Sequence, residues 1–179
     1  MTHSFAHMRV VILAGGSGKR LWPLSRRHRP QQLQVIEGSQ SLLAKTCERI
    51  KKIGRDCDIR IATVAPFAPE VQQLCGIAST QLLLEPDQRD TGPAIAYACI
   101  RLCVEGLGDE PVSFLPSDHR IDDEAAFLQA VTLAQKLTVE TGKLVLMAVP
   151  ATAPVTSLGY SMVGDIVREQ DGIVVRAFH

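Results

Sequence analysis

The residues best suited to chemistry lie in one short tract, "VILAGGSGKRLWPLSRRHRPQQLQ", at positions 11–34. Gly15, Gly16 and Gly18 follow an apolar run, and Lys19 and Arg20 come immediately after them. Glycines carry no β-carbon, so several peptide N–H groups can approach one phosphate while a guanidinium supplies the balancing charge. Taken alone, such a loop also suits a plain strand-to-helix turn with solvated basic residues.

Two well-characterised phosphate loops do not fit. The pattern GxxxxGK[ST] fails because Arg20 follows Lys19 and Leu13 stands where the first glycine belongs. The pattern GxGxxG fails because Leu21 occupies its last glycine position after Gly16 and Gly18. The loop is therefore of a third kind.

A phosphate loop needs a rigid strand to present it. Near-continuous apolar runs predict strands at 9–13, 59–64, 81–84, 112–115 and 144–149, each suited to cover on both faces. Helical patterns at 41–53, 69–78, 92–105 and 123–140 fall between them. Asp122 ahead of "DEAAFLQAV", and Thr91 with Pro93 close behind, are the expected helix starts. Strand and helix in strict succession predict an α/β fold, a Rossmann-like, mostly parallel sheet flanked by helices on both faces. Ligands of such sheets sit beyond the carboxyl ends of the strands. After Val149 the turn residues Pro150, Pro154, Gly159 and Gly164, and the hairpin-like "REQDG" before 173–178, predict antiparallel strands added to that core.

Composition narrows the function classes. The 179 residues are 46% hydrophobic, and 19 basic residues balance 19 acidic ones. That length predicts a single domain at 8–179, with residues 1–7 ahead of Met8 as an N-terminal extension. A zero balance argues against general binding to nucleic acid or an anionic membrane, which rests on surplus Lys and Arg. Cys47, Cys57, Cys75, Cys99 and Cys103 form no CxxC pair and have no histidines at zinc-ligand spacing. They read as reduced thiols, with Cys99 and Cys103 one helical turn apart as small buried hydrophobes. No run reaches the ~18–20 apolar residues of a membrane span, and "MTHSFAH" lacks the regions of a signal peptide, so a cytoplasmic location is expected.

Four ordered segments resemble the sugar-1-phosphate nucleotidyltransferases, and most closely their mannose-1-phosphate guanylyltransferase (GDP-mannose pyrophosphorylase) branch. "LAGGSGKRLWPLSR" with "RPQQL" is similar to that branch's GGSGTRLWPLSR and PKQF. "EPDQRDTGPAIAYA", "LPSDHRIDDEAAFLQAV" and "PATAPVTSLGY" resemble its EP..RNTAPAIA, LPADHxI and PTxPETGYGY segments. The resemblance implies the nucleotide-diphospho-sugar transferase type of fold, cut short on its carboxyl-terminal side. It also implies transfer of GMP from GTP to mannose 1-phosphate, giving GDP-mannose and pyrophosphate.

By the same resemblance, Leu13, Ala14, Gly15, Gly16 and Gly18 are nucleotide contacts, and Arg20 is the catalytic cation on the phosphates. Glu85, Pro86, Arg89 and the start of the Thr91 helix border the nucleotide, and Gly159 lies beside the sugar. Asp118 matches the catalytic aspartate that binds magnesium. Attack of a phosphate oxygen on an α-phosphorus needs positioning and charge neutralisation above all. Magnesium often takes only one or two carboxylates, so a single strand-end aspartate is a sensible ligand. No general base is required, which leaves His119 a structural or supporting role.

The departures from that pattern are as informative. Gln31 stands where the family has a lysine, and a lost electrostatic donor of that kind costs on the order of 100- to 1,000-fold in rate. Arg29, or Lys19, is the expected replacement charge, since residues two apart share a face when extended. Asp90 replaces an asparagine, Val155 a glutamate, and Leu158 a common aromatic. The family's EKP segment and second metal carboxylate are expected beyond His179. Two alternatives stand beside catalysis: a degenerate, non-catalytic nucleotide-binding or interaction module of the same family, and an unrelated Rossmann-type domain. Unpaired strands near the end of the chain also predict self-association as a homo-oligomer.

Overall fold

The run MRVVIL is apolar on both faces and forms β1 (Met8–Leu13), in which Val10, Val11 and Ile12 are fully buried. The computed structural model describes residues 8–16, 22–26, 30–36, 38–54, 57–156, 158–170 and 172–178. In it, β2 (Cys57–Val64) and β4 (Val112–Pro116) flank β1, and β3 (Leu82–Glu85) extends the sheet beyond β2. Every pairing in this sheet is parallel, in the order β3-β2-β1-β4.

Four helices alternate with these strands: α1 (Leu42–Lys51), α2 (Ala68–Cys75), α3 (Thr91–Val104) and α4 (Glu124–Thr141). Side chains alternate across a strand with period two, and the core divides accordingly. Val10 and Ile12 pack with Leu43 and Ile50 of α1, Val71 of α2 and Val131 of α4 on one face. Val11 packs with Ala98 and Leu102 of α3 on the other. The predicted sheet with helices on both faces is thus the one observed. Successive strands build outward from β1 to β2 and β3, then return to β1's other side as β4. The crevice of such a switch point opens at the carboxyl ends of β1 and β4.

The opposite end of the sheet is tied by charge. The buried Arg9 guanidinium bonds Asp58 at 2.8 Å and Glu110 at 2.7 Å. Burial pushes the Asp58 carboxyl up, but the Arg9 and Arg60 guanidiniums outweigh it and hold it below the usual carboxylate range.

Several expectations are corrected. Asp123, not Asp122, caps α4: its backbone is still non-helical (φ −101, ψ 87) and its carboxylate accepts from the Ala126 N–H at 2.9 Å. Asp122 instead pairs with Arg120. Thr91 is already helical, and Asp90 takes the capping position without a side-chain bond. Cys103 is exposed and Cys99 half-buried, because Ala94, Ala98 and Leu102 are the residues of α3 that face the sheet. All five thiols are free, as expected.

The predicted strand at 144–149 is irregular, with Leu144 and Val149 73% and 89% exposed. Apolar composition suits burial but makes no strand without a neighbour's ladder, and among the described residues none pairs with this run. The predicted antiparallel strands form as β5 (Val163–Gln170) and β6 (Ile173–Phe178), across a turn with Gly172 at φ +78. They make a separate two-stranded sheet and do not join the core. A short turn closes a hairpin at little entropic cost, whereas joining the sheet edge requires ordering the long segment before it. An Arg168–Glu140 ion pair at 2.9 Å links the hairpin to α4.

Candidate functional site

The chain leaves β1 through residues 14–16, and two buried polar side chains hold that exit. The Ala14 N–H still donates to the Ala62 carbonyl at 2.8 Å, so the loop begins fixed to the sheet. The Ala14 carbonyl accepts from Gln32 Nε2 at 2.7 Å and from the Thr63 hydroxyl at 3.2 Å. Gln32 Nε2 also lies 3.4 Å from the Gly16 carbonyl. Buried polar groups must be paired, and here the loop's own carbonyls do the pairing. Sequence reasoning missed Gln32 and Thr63. Thr63 had a signal, a lone polar residue in a buried apolar run, whereas Gln32 lies in the polar stretch RPQQLQ and had none.

Glu85 at the end of β3 explains Gly15. A β-carbon at Gly15 would stand 2.4 Å from Glu85 Oε1, whereas one at Gly16 would meet nothing within 4 Å. The Glu85 side chain comes from a residue only 7% exposed, and its Oε1 has no hydrogen-bond partner among the described residues. Burial pushes its carboxyl above the ordinary value. A buried acceptor without a donor is costly, so this oxygen is suited to a ligand's N–H or O–H.

Beyond Glu85, Pro86 and Arg89 are exposed, and Arg89 pairs with Asp87 of its own turn at 2.9 Å. Asp90 follows at φ 66, ψ −175. That region is almost exclusive to glycine and costs about 1–3 kcal/mol for other residues. The strain falls at the amino terminus of α3, where the sequence places the nucleotide's border.

On the other side of the switch point, β4 delivers Asp118. The Thr46 hydroxyl of α1 donates to the buried Ser117 carbonyl at 3.3 Å, fixing the backbone just before Asp118. Asp118 is half-buried, and its Oδ2 accepts from Gln31 Nε2 at 2.5 Å. Gln31 opens a single 3-10 turn (Gln31–Leu33) behind Pro30. Both residues line a cleft of about 480 Å³ that extends toward α1 and the start of α4. Lys45, Arg49, Lys52 and Arg120 there are matched by Glu48, Asp118, Asp122 and Glu124, so the cleft is not a cationic trap.

Among the described residues no group of three His, Cys, Asp or Glu side chains is placed to hold a metal. Asp118 offers one carboxylate in this cleft, and magnesium often takes only one or two carboxylates and completes its shell with phosphate and water. His119 also lines the cleft.

Among the described residues, Gly159 is not brought to these strand ends. Gly159 is exposed, with nothing within 4 Å of a β-carbon position. It sits in a self-contained loop where the Tyr160 hydroxyl accepts from the Val155 N–H at 2.7 Å and lies 3.2 Å from the Ala153 carbonyl. Val155 and Leu158 are exposed there. Gly18, Lys19, Arg20 and Arg29 lie outside the described residues.

Comparison with known proteins agrees with this architecture. The nucleotidyl transferase family model matches residues 9–178. The alginate biosynthesis protein AlgA of Pseudomonas aeruginosa is 40% identical over 152 residues, covering 84% of this chain and 31% of that protein. The mannose-1-phosphate guanylyltransferase RfbM of Salmonella typhimurium is 35% identical over 164 residues, covering 88% and 33%. The crystal structure of a Thermus thermophilus protein described as mannose-1-phosphate geranyltransferase matches with a TM-score of 0.62 at 30% identity, covering 75% of this chain and 39% of that one. The chain spans about a third of the length of the curated relatives it matches. Among the described residues no helix is long and apolar enough to cross a membrane.

Proposed function

Because this chain belongs to the nucleotidyl transferase family, we propose that it transfers GMP from GTP to mannose 1-phosphate, giving GDP-mannose and pyrophosphate, in the cytoplasm. The name of the Salmonella typhimurium relative, a mannose-1-phosphate guanylyltransferase, supports the sugar and the reaction. The observation that carries the choice of nucleotide is the Glu85 carboxylate, buried beside Gly15 with Oε1 unpartnered among the described residues. Guanine presents N1–H and an N2 amino group side by side, two donors that one carboxylate accepts together. Adenine presents an acceptor at N1, which a carboxylate repels.

In this reading the backbone of Leu13, Ala14, Gly15, Gly16 and Gly18 lines the nucleotide, with Pro86 and Arg89 along its border. Arg20 meets the phosphates. Asp118 would hold a magnesium ion, which supplies charge neutralisation on the phosphates when bound. An oxygen of mannose 1-phosphate attacks the α-phosphorus of GTP, one phosphorus–oxygen bond forms, and the bond to pyrophosphate breaks. No side chain forms a covalent bond, so the chain acts by positioning and by balancing charge. Pyrophosphate release from GTP, mannose 1-phosphate and magnesium tests the reading. Release that falls sharply in Arg20→Ala is expected, whereas saturable GTP binding without release would identify a non-catalytic module instead.

A further inference from the structure

We propose that Gln31 is a positioning residue for Asp118, holding its carboxylate to one-oxygen binding of a divalent cation and so favouring magnesium over calcium. The inference rests on the reading of Asp118 as the cation ligand and adds what its neighbour does. Gln31 Nε2 donates to Asp118 Oδ2 at 2.5 Å, a short contact for an amide on a carboxylate. A donor there draws electron density from Oδ2 and takes up one of its lone-pair sites, which disfavours chelation through both oxygens. Oδ1 is left as the better ligand. Magnesium demands near-ideal octahedral geometry and takes single carboxylate oxygens, while calcium accepts six to eight ligands and binds carboxylates through both oxygens readily.

The two partners are held from opposite sides of the switch point. Pro30 precedes Gln31, whose 3-10 turn is closed by the Leu33 N–H on the Pro30 carbonyl at 3.1 Å and the Gln34 N–H on the Gln31 carbonyl at 3.1 Å. Gln32 and Leu33, next along that turn, are buried. The Asp118 backbone is preceded by Ser117, buried and bonded to Thr46. The amide is therefore presented by an anchored turn to a carboxylate on an anchored strand end. An amide orients the carboxylate without a charge of its own.

The test is Mn2+ binding to the full chain, followed by water-proton relaxation and displaced by Mg2+ or Ca2+. Gln31→Met keeps the length of the side chain and removes the donor. Loss of a partner that orients a ligand weakens metal affinity by ~10- to 100-fold, and that loss is expected here, with a several-fold rise in calcium's effectiveness relative to magnesium. If Gln31→Met matches wild type in both affinity and the calcium-to-magnesium ratio while Asp118→Asn abolishes binding, the proposal is overturned and the reading of Asp118 stands. If Asp118→Asn binds Mn2+ as wild type does, that reading fails and the proposal with it. Should Gln31→Met not fold, Gln31→Ala removes the donor with a smaller side chain and tests the same point through the ratio: a shift toward calcium supports the proposal, and an unchanged ratio overturns it.

Discussion

Gln31 and Asp118, separated by 87 positions in the chain, meet across the crevice between the ends of β1 and β4, with the amide nitrogen 2.5 Å from the carboxylate oxygen. The amide reaches the point where a phosphate and its cation are proposed to gather, yet brings no charge. Gln31→Lys keeps a donor toward Asp118 and adds a positive charge. Pyrophosphate release should rise on the order of 100- to 1,000-fold, the usual worth of one electrostatic donor to developing charge. An unchanged rate would show that the missing charge is not what limits turnover.

Gly15 and Glu85 form a second coupled pair. Gly15→Ala places a methyl group 2.4 Å from Glu85 Oε1, so the carboxylate must be displaced. Overpacking of this kind costs about 1–3 kcal/mol. In a Glu85→Ala background the same substitution should cost almost nothing, because the obstructing atoms are gone. Denaturant unfolding of the four proteins of the cycle measures the coupling, and additive effects would contradict the packing described.

Glu85 also sets a dependence on pH. Burial raises its carboxyl pKa in the folded protein above the ordinary value. The native state therefore holds this proton more tightly than the unfolded chain does. The associated stability is present at low pH and is lost as pH rises through the folded value. Glu85→Gln removes the buried charge, so its thermal midpoint at neutral pH should exceed that of wild type, and the difference should shrink on acidification. GTP affinity should move oppositely: in wild type it rises with pH as Glu85 ionises, and in Glu85→Gln it is weak and flat. A midpoint lowered by the substitution at neutral pH would contradict the assignment.

Much of this arrangement is legible in the sequence where the signal is local. Val10, Val11 and Ile12 announce a strand covered on both faces, and the apolar spacing of 123–140 announces a helix, observed at Glu124–Thr141, because burial imposes a period that neighbours share. Gly15 was legible as a residue that something must approach, but the approaching group in the structure is Glu85, 70 positions later, which no local pattern encodes. Gln31 and Asp118 each stood out separately, and only the parallel order β3-β2-β1-β4 brings them into contact. Thr63 is one polar residue in an apolar run and has no period, and Gln32 stands among other glutamines in RPQQLQ, where nothing local marks it as buried. The run 144–149 misled for the complementary reason: its composition reports what it could pack against, while its structure depends on a neighbour that the described residues do not provide.

The carboxyl ends of β1, β3 and β4 are proposed to form a site for guanosine triphosphate with a divalent cation. Titration calorimetry of the folded chain with GTP in the presence of magnesium addresses it most directly. The account predicts a saturable heat that is lost in Glu85→Ala and is not reproduced by ATP. The absence of any heat with every nucleoside triphosphate tried, in protein shown to be folded, would contradict it.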